Sequence, residues 1–197
     1  KISTDEGLVG WSECSDSHGS PRGIEGAVRD LEPLIVGQDP RTVEKHYWLM
    51  YSRTRQSPGS IIQKAIGGIE NALLDIKAKA LGVPVYELFG GAVREKIPLY
   101  WSHCGDTRAR YSKIIGKPQI KSREDLLRFG KEIRASGFRA VKPKLVIFGE
   151  EPHVYMPGFA RSPGWPELNV DSKMLGAFEE WMAALREAIG DEIDLII

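Results

Sequence analysis

The sequence has no excess of either charge, few cysteines and no long hydrophobic run. Its 197 residues include 27 basic and 27 acidic side chains, so the chain lacks the positive surface on which non-specific binding to nucleic acids or anionic membranes depends. Two cysteines, Cys14 and Cys104, suggest neither a disulfide framework nor a zinc motif. No apolar segment approaches the roughly 20 residues that cross a bilayer. We therefore expect a cytoplasmic protein that binds small molecules and copies of itself, not nucleic acid or membrane.

The two ends predict that the chain is a fragment of a longer protein. The sequence begins at Lys1 without a preceding Met, and it ends on the apolar run IDLII at 193–197. A domain rarely ends on such a strand, because its edge and faces would be open to aggregation.

Hydrophobic spacing predicts about 95 residues of mixed helix and strand, followed by a regular alternation of strands and helices. The first part has a short strand at 7–14, helices at about 24–35, 42–51 and 60–81, and polar loops at 15–23 and 52–59. The second part has strands at 96–101, 138–148 and 193–197, helices at 123–135 and 172–189, and a long irregular insert at 149–168. An alternation of this kind implies parallel strands joined by crossover helices.

The most informative residues for chemistry are Lys142 and Lys144 in the second of these strands. Side chains alternate along a strand, so both lysines are expected on one face, roughly 7 Å apart. Two ammonium groups this close repel, so one could give up its proton and act as a general base while the other stabilises an oxyanion. In a closed barrel that face opens into the active-site mouth. The alternative is an edge strand with two solvated lysines, which Pro143 favours.

The histidines and cysteines give weaker signals. His18 lies in the first polar loop and His103 follows the first strand of the alternation, so both are candidate substrate contacts. Cys104 is not expected to be a nucleophile paired with His103, because adjacent side chains at a strand end point apart. The sequence contains no P-loop, GxGxxG, HExxH or GxSxG motif.

Four segments resemble a known family in order and in spacing. They are GLVGWSE (7–13), GGIENALLDIKAKALGVPVYELFGG (67–91), REKIPLYWS (94–102) and GFRAVKPKL (137–145). Together they resemble the mandelate racemase/muconate lactonizing enzyme group of the enolase superfamily. The resemblance implies an α+β capping domain over 1–95, with its first strand expected to be missing. It also implies the first three strands and two helices of a modified TIM (β/α)8 barrel over 96–197.

The resemblance also implies a chemistry, which begins with removal of the proton α to a carboxylate. Matched by position, Lys144 is the expected base, and Lys142 is expected to neutralise the substrate carboxylate. The family's Mg²⁺ is held by three carboxylates that are expected beyond Ile197, so the fragment itself is expected to be inactive. The capping-domain loops make His18, Arg53 and Arg55 candidate substrate contacts, in addition to His103.

A Mg²⁺-dependent sugar-acid dehydratase is the function that we expect for the full-length protein. Polar loops that carry Arg and His suit a polyhydroxylated anion, an aldonate or aldarate. The alternatives are a racemase, epimerase or cycloisomerase of the same family, and a homologue that binds acid sugars without turning them over. Schiff-base chemistry on the lysine pair, as in an aldolase, is a further alternative.

Overall fold

A computed structural model describes residues 1–15, 19–57, 59–156 and 170–197. Contacts between Cα atoms divide the chain into two compact units, Lys1–Glu95 and Lys96–Ile197. Within the described ranges, no helix has both the length and the apolarity required to cross a bilayer.

The first unit consists of a small antiparallel sheet and three helices. Strand β1 (Ile2–Ser3) pairs with β2 (Val9–Gly10), and a 3₁₀ turn at Val85–Phe89 follows the last helix. The helices are α1 (Pro21–Ile35), α2 (Val43–Arg53) and α3 (Ser60–Leu81). All three were predicted, although α1 continues past Pro33; the proline removes its own N–H bond to the Arg29 carbonyl, and the helix ends two residues later at Ile35.

Helix α3 is the centre of this unit, and β2 packs closely on it. A Cβ atom at Gly10 would lie 2.1 Å from the Ala72 carbonyl oxygen, so only glycine permits this approach. The Asp75 carboxylate accepts hydrogen bonds from Lys79 Nζ at 2.7 Å and from the backbone N–H of Trp11 at 2.9 Å. These two donors lower the pKa of the Asp75 carboxyl. The network joins the end of β2 to the last turns of α3.

The second unit is built on a three-stranded parallel sheet in the order β3–β4–β7. These strands are β3 (Trp101–Cys104), β4 (Ala140–Pro143) and β7 (Asp194–Leu195). A separate hairpin pairs β5 (Val146–Ile147) with β6 (His153–Val154). The helices are α4 (Asp106–Ile115), α5 (Arg123–Ala135) and α6 (Ser172–Ile189). The predicted parallel alternation is confirmed, with α5 between β3 and β4 and α6 between β4 and β7.

The predicted strand limits in this unit are wrong in three places. The strand predicted at 138–148 ends at Pro143, which has no N–H to continue the ladder. The strand predicted at 96–101 begins only at Trp101, because residues 96–100 are exposed and pair with no described strand. The strand predicted at 193–197 is limited to Asp194 and Leu195.

Helix α4 was not predicted at all. Its sequence, DTRARYSKII, carries too few apolar residues for a periodic signal, and Tyr111 has non-helical backbone angles. Gly105, with φ +92°, turns the chain into it directly after β3. The turn places Asp106 and Arg108 in the interior, where Arg108 pairs with Glu132 and lies over the Phe129 ring.

Helices α5 and α6 cover one face of the sheet and position its strands. Ser122 and Asp125 form a capping box at the start of α5. In the last turn of α6, Arg186 donates hydrogen bonds to the Gly190 and Ile193 carbonyls, both at 2.8 Å. These bonds fix the chain where it enters β7. The two helices touch at Gly130, where a Cβ would lie 2.4 Å from the Ala188 carbonyl oxygen.

We predict that Gly130→Ala destabilises the second unit by about 1–3 kcal/mol, because the added methyl forces α5 and α6 apart. Gly176→Ala in α6 is the matched control, since a Cβ there meets no atom within 4 Å. It should raise the free energy of unfolding by up to about 1 kcal/mol, because alanine favours a helix. Urea unfolding measures both changes. Equal effects of the two substitutions would contradict the close packing at Gly130.

Candidate active site

Lys142 lies on the central strand of the parallel sheet. Strand β4 pairs with β3 on one side and with β7 on the other, so the alternative of an edge strand is wrong. Val141 is fully buried in the core under α5 and α6, so Lys142 lies on the opposite face, where it is exposed. Within the described part of the chain, Lys142 makes no ion pair. The positive charge of Lys142 is therefore exposed on this face of the sheet.

Lys144 follows β4 instead of belonging to it. Because the strand ends at Pro143, the two lysines do not project from one regular strand as predicted. Lys144 is half-buried and lines a cavity of about 590 Å³ at the carboxyl ends of β4 and β7. It is the one charged residue among the described residues that line this cavity, which are Pro143, Lys144, Leu145, Tyr155, Met156, Val170, Met174, Leu175, Phe178, Trp181, Met182 and Ile197. The structure therefore places a basic side chain against an apolar wall.

His103 lies at the carboxyl end of β3, directly after Ser102, which pairs with Lys142 of β4. Ser102 is the register partner of Lys142, and Cys104 is the partner of Pro143, so His103 is an extra residue between them. Its φ is +57°, a left-handed value that costs an L-residue about 1–2 kcal/mol. The Ser102 hydroxyl, which sequence reasoning missed, lies 3.0 Å from His103 Nδ1. The signal available in the sequence was the adjacent Ser-His pair at the end of the strand, with Gly105 two residues after His103.

Two of the remaining predicted substrate contacts, Arg53 and Arg55, lie in the first unit. Arg53 ends α2 in the first unit, and Arg55 follows in the next turn, where its Nη1 donates to the Ser52 carbonyl at 3.3 Å. Both arginines are exposed. His18 lies outside the described residues.

Cys104 is protected by burial. The thiol is 1 % exposed, and burial raises its pKa to about 12, with a contribution from the nearby Asp106 carboxylate. Because the thiolate is the reactive form, Cys104 does not act as a nucleophile near neutral pH.

The described residues do not fit a Mg²⁺ site. No group of three or more His, Cys, Asp or Glu side chains in the described ranges is arranged to hold a metal ion. Magnesium requires several oxygen ligands in octahedral geometry, and carboxylates usually provide them. The candidate site therefore consists of lysine, histidine and serine side chains at the carboxyl ends of two parallel strands.

Parts of this chain match a protein-family model and a curated relative. The family model for the mandelate racemase/muconate lactonizing enzyme N-terminal domain matches residues 1–90. A D-galactonate dehydratase of Pectobacterium atrosepticum is 48% identical over 115 residues, which are 58% of this chain and 29% of that protein.

Solved structures match along nearly the whole chain. A Burkholderia xenovorans protein, provisionally named L-alanine-DL-glutamate epimerase, is 38% identical with a TM-score of 0.87 over 98% of this chain and 49% of its own. A second structure under the same name contains magnesium and fumarate. A provisionally named dehydratase of Salmonella enterica serovar Typhimurium is 29% identical with a TM-score of 0.80, over 99% of this chain and 48% of its own. The chain thus spans about half the length of these structures.

We predict that thiol reagents modify Cys14 but not Cys104 in the native protein. Cys14 is half-buried, whereas Cys104 is buried and its raised pKa keeps the thiol protonated near neutral pH. Mass spectrometry after brief alkylation measures the modified sites, and the unfolded protein, in which both react, is the control. Modification of Cys104 at the rate of Cys14 would contradict its burial.

Proposed function

Because the chain belongs to the mandelate racemase/muconate lactonizing enzyme group of the enolase superfamily, we propose that the whole protein is a sugar-acid dehydratase. It removes the proton α to the carboxylate of an aldonate or aldarate and expels the β-hydroxyl group. The single observation that carries this proposal is the position of Lys142 and Lys144 at the carboxyl end of a central parallel strand. In parallel α/β barrels, substrates bind at that end of the strands.

Lys144 is the base in this proposal. It lines the cavity at the strand ends, where a bound acid can present its α-carbon. The amine takes the α-proton, and the electron pair left behind moves onto the carboxylate to form an enediolate. The enediolate then expels the β-hydroxyl, which takes a proton from solvent and leaves as water. The resulting enol loses its hydroxyl proton to solvent and gains a solvent proton at C3, which gives a 2-keto-3-deoxy acid.

Lys142 stabilises the charge that this step creates. Its ammonium group lies on the open face of β4, two residues before Lys144. A fixed positive charge beside the substrate carboxylate favours the enediolate more than the ground state, because the negative charge on the oxygens increases during proton removal. Lys142 is held in position because its backbone pairs with Ser102 of β3, while the residue before it, Val141, pairs with Leu195 of β7.

Magnesium is the proposed cofactor of the whole protein. One related structure contains magnesium together with a dicarboxylate, fumarate. Its ligands would come from outside the described residues, among which no group of three or more His, Cys, Asp or Glu side chains could hold a metal ion.

The proposed substrate class is that of D-galactonate. The relative from Pectobacterium atrosepticum is named for dehydration of this acid. Arg53 at the end of α2 and Arg55 just after it are exposed basic residues, and His18 belongs to the polar segment that the sequence has at 15–23. Guanidinium and imidazole groups suit the carboxylate and hydroxyl groups of such an acid.

An epimerase is the second candidate, favoured by the 38% identity to the Burkholderia xenovorans protein over nearly the whole chain. An epimerase uses the same proton removal but returns a proton to the opposite face of the α-carbon. The two reactions therefore share Lys144 and differ in the fate of the β-hydroxyl group.

We predict that Lys144→Ala in the whole protein abolishes exchange of the substrate α-proton with solvent deuterium, because the base is lost. Affinity for Mg²⁺ should be nearly unchanged, since Lys144 is not a metal ligand. Lys131→Ala, an exposed lysine on α5, is the control and should exchange normally. Proton NMR in D₂O measures the exchange. If the Lys144→Ala variant still exchanged the substrate α-proton with deuterium, Lys144 would not be the base.

We predict that the wild-type whole protein converts D-galactonate, or another acid of a sugar-acid library, to a 2-keto-3-deoxy acid. The semicarbazide reaction detects this product because it carries a ketone. Inversion of the α-carbon without loss of water would instead identify the epimerase. Neither product with any acid in the library would contradict both candidates.

A further inference from the structure

Helix α2 of the first unit exposes two adjacent aromatic side chains. Trp48 is 60 % exposed and Tyr51 is 37 % exposed. Their rings meet edge to face, with the centroids 5.8 Å apart. The opposite side of the same helix is buried, at Val43, His46 and Met50. Because Trp, Tyr and Arg carry much of the binding energy of protein interfaces, an exposed Trp–Tyr pair on a helix indicates an interaction surface.

Charged side chains of opposite sign stand at the two ends of this aromatic pair. Glu44 lies four residues before Trp48, and Arg55 lies four residues after Tyr51. A spacing of four, three and four residues marks one face of a helix. Arg55 follows the last residue of α2, but its Nη1 donates to the Ser52 carbonyl at 3.3 Å, which keeps the guanidinium at the end of the helix. We call Glu44, Trp48, Tyr51 and Arg55 the α2 stripe.

Neither charge of the α2 stripe is neutralised within the part of the chain that the structure describes. Glu44 and Arg55 are both exposed, and neither takes part in an ion pair there. Glu44 lies near a second carboxylate, since burial and the charge of Glu44 raise the pKa of the Glu70 carboxyl on α3. A cation that approached this end of α2 would therefore be attracted, and so would an anion at the Arg55 end.

We propose that α2 pairs with α2 of a second copy of this chain, in antiparallel orientation about a two-fold axis. A two-fold contact brings the same surface together twice, so that surface must be complementary to itself. The α2 stripe meets this requirement. Reversing one helix sets Glu44 opposite Arg55 of the second copy, and it sets Trp48 opposite Tyr51 of the second copy. The aromatic rings then form the centre of the contact and the ion pairs its rim, as in other protein interfaces.

This pairing is independent of the proposed reaction. It assigns Arg55 to the contact, whereas Arg53, two residues earlier and on another side of α2, remains available to a substrate. The other occupant to consider is a further part of the whole protein, since the chain spans about half the length of the related structures. Such a part would not require the stripe to be complementary to itself, and we therefore assign the surface to a second copy.

Charge reversal in the whole protein tests the pairing, with sedimentation velocity to measure the mass of the assembly. Glu44→Arg and Arg55→Glu each set like charges against one another at both ends of the paired helices. The double variant Glu44→Arg/Arg55→Glu restores opposite signs across the axis only if the partner is another α2. Trp48→Ala removes the central ring. Trp11→Ala is the matched control, because Trp11 is 62 % exposed in the same unit but lies outside α2.

We expect Trp48→Ala to weaken the pairing about 30-fold or more, which is the usual loss for a central aromatic residue of an interface. Each single charge reversal should weaken it about 10-fold, because like charges then face each other twice, and the double variant should regain most of that loss. Weakened variants should sediment with half the wild-type mass at concentrations where the wild type stays paired. Trp11→Ala should keep the wild-type mass. Melting of each variant before assembly is compared confirms that it is folded.

Three results would overturn the inference. The first is a whole protein that stays monomeric over the concentration range in which it is soluble. The second is an assembly whose mass is unchanged by Trp48→Ala and by both single reversals, or a double variant that pairs no better than either single one. The third comes from hydroxyl-radical footprinting: a Trp48 ring protected from oxidation in a monomer is covered by another part of the whole protein and not by a second copy.

Discussion

The pairing of β4 between β3 and β7 is the constraint on which the candidate site depends. Because β4 is hydrogen-bonded on both sides, its register decides which residues lie under the helices and which lie on the open face. Val141 is buried and Lys142 is exposed. A shift of one residue would bury the ammonium group in the apolar core, which costs several kcal/mol for an unpaired charge. Pro143 then ends the strand, and Lys144, which follows it, lines the cavity.

The helices behind the sheet preserve that register. Helices α5 and α6 approach each other closely at Gly130, and the core between them and the sheet includes the fully buried Trp181. At the end of α6, the two hydrogen bonds of Arg186 fix the chain just before β7. The polar residues at the strand ends are thus supported by an apolar core on one face of the sheet, and Lys142 is exposed on the other face.

Much of this architecture could be predicted from the sequence. The strand order and the bulge in β3 could not. The long apolar period of α3 and the Ser122 capping box were visible, and the family matches confirm the expected capping domain and barrel beginning. Lys142 was placed on a strand correctly. Pairing partners are not encoded locally, so the central position of β4 and the bulge at His103 could not be derived from the residues alone.

The most direct measurement is a crystal structure of the whole protein with an unreactive analogue of D-galactonate bound. The central claim is that the end of β4 presents Lys144 to the proton α to the substrate carboxylate. The account predicts that Lys144 Nζ lies within about 3.5 Å of the α-carbon, the separation at which a proton can transfer. An α-carbon bound far from Lys144, with another base beside it, would contradict the account.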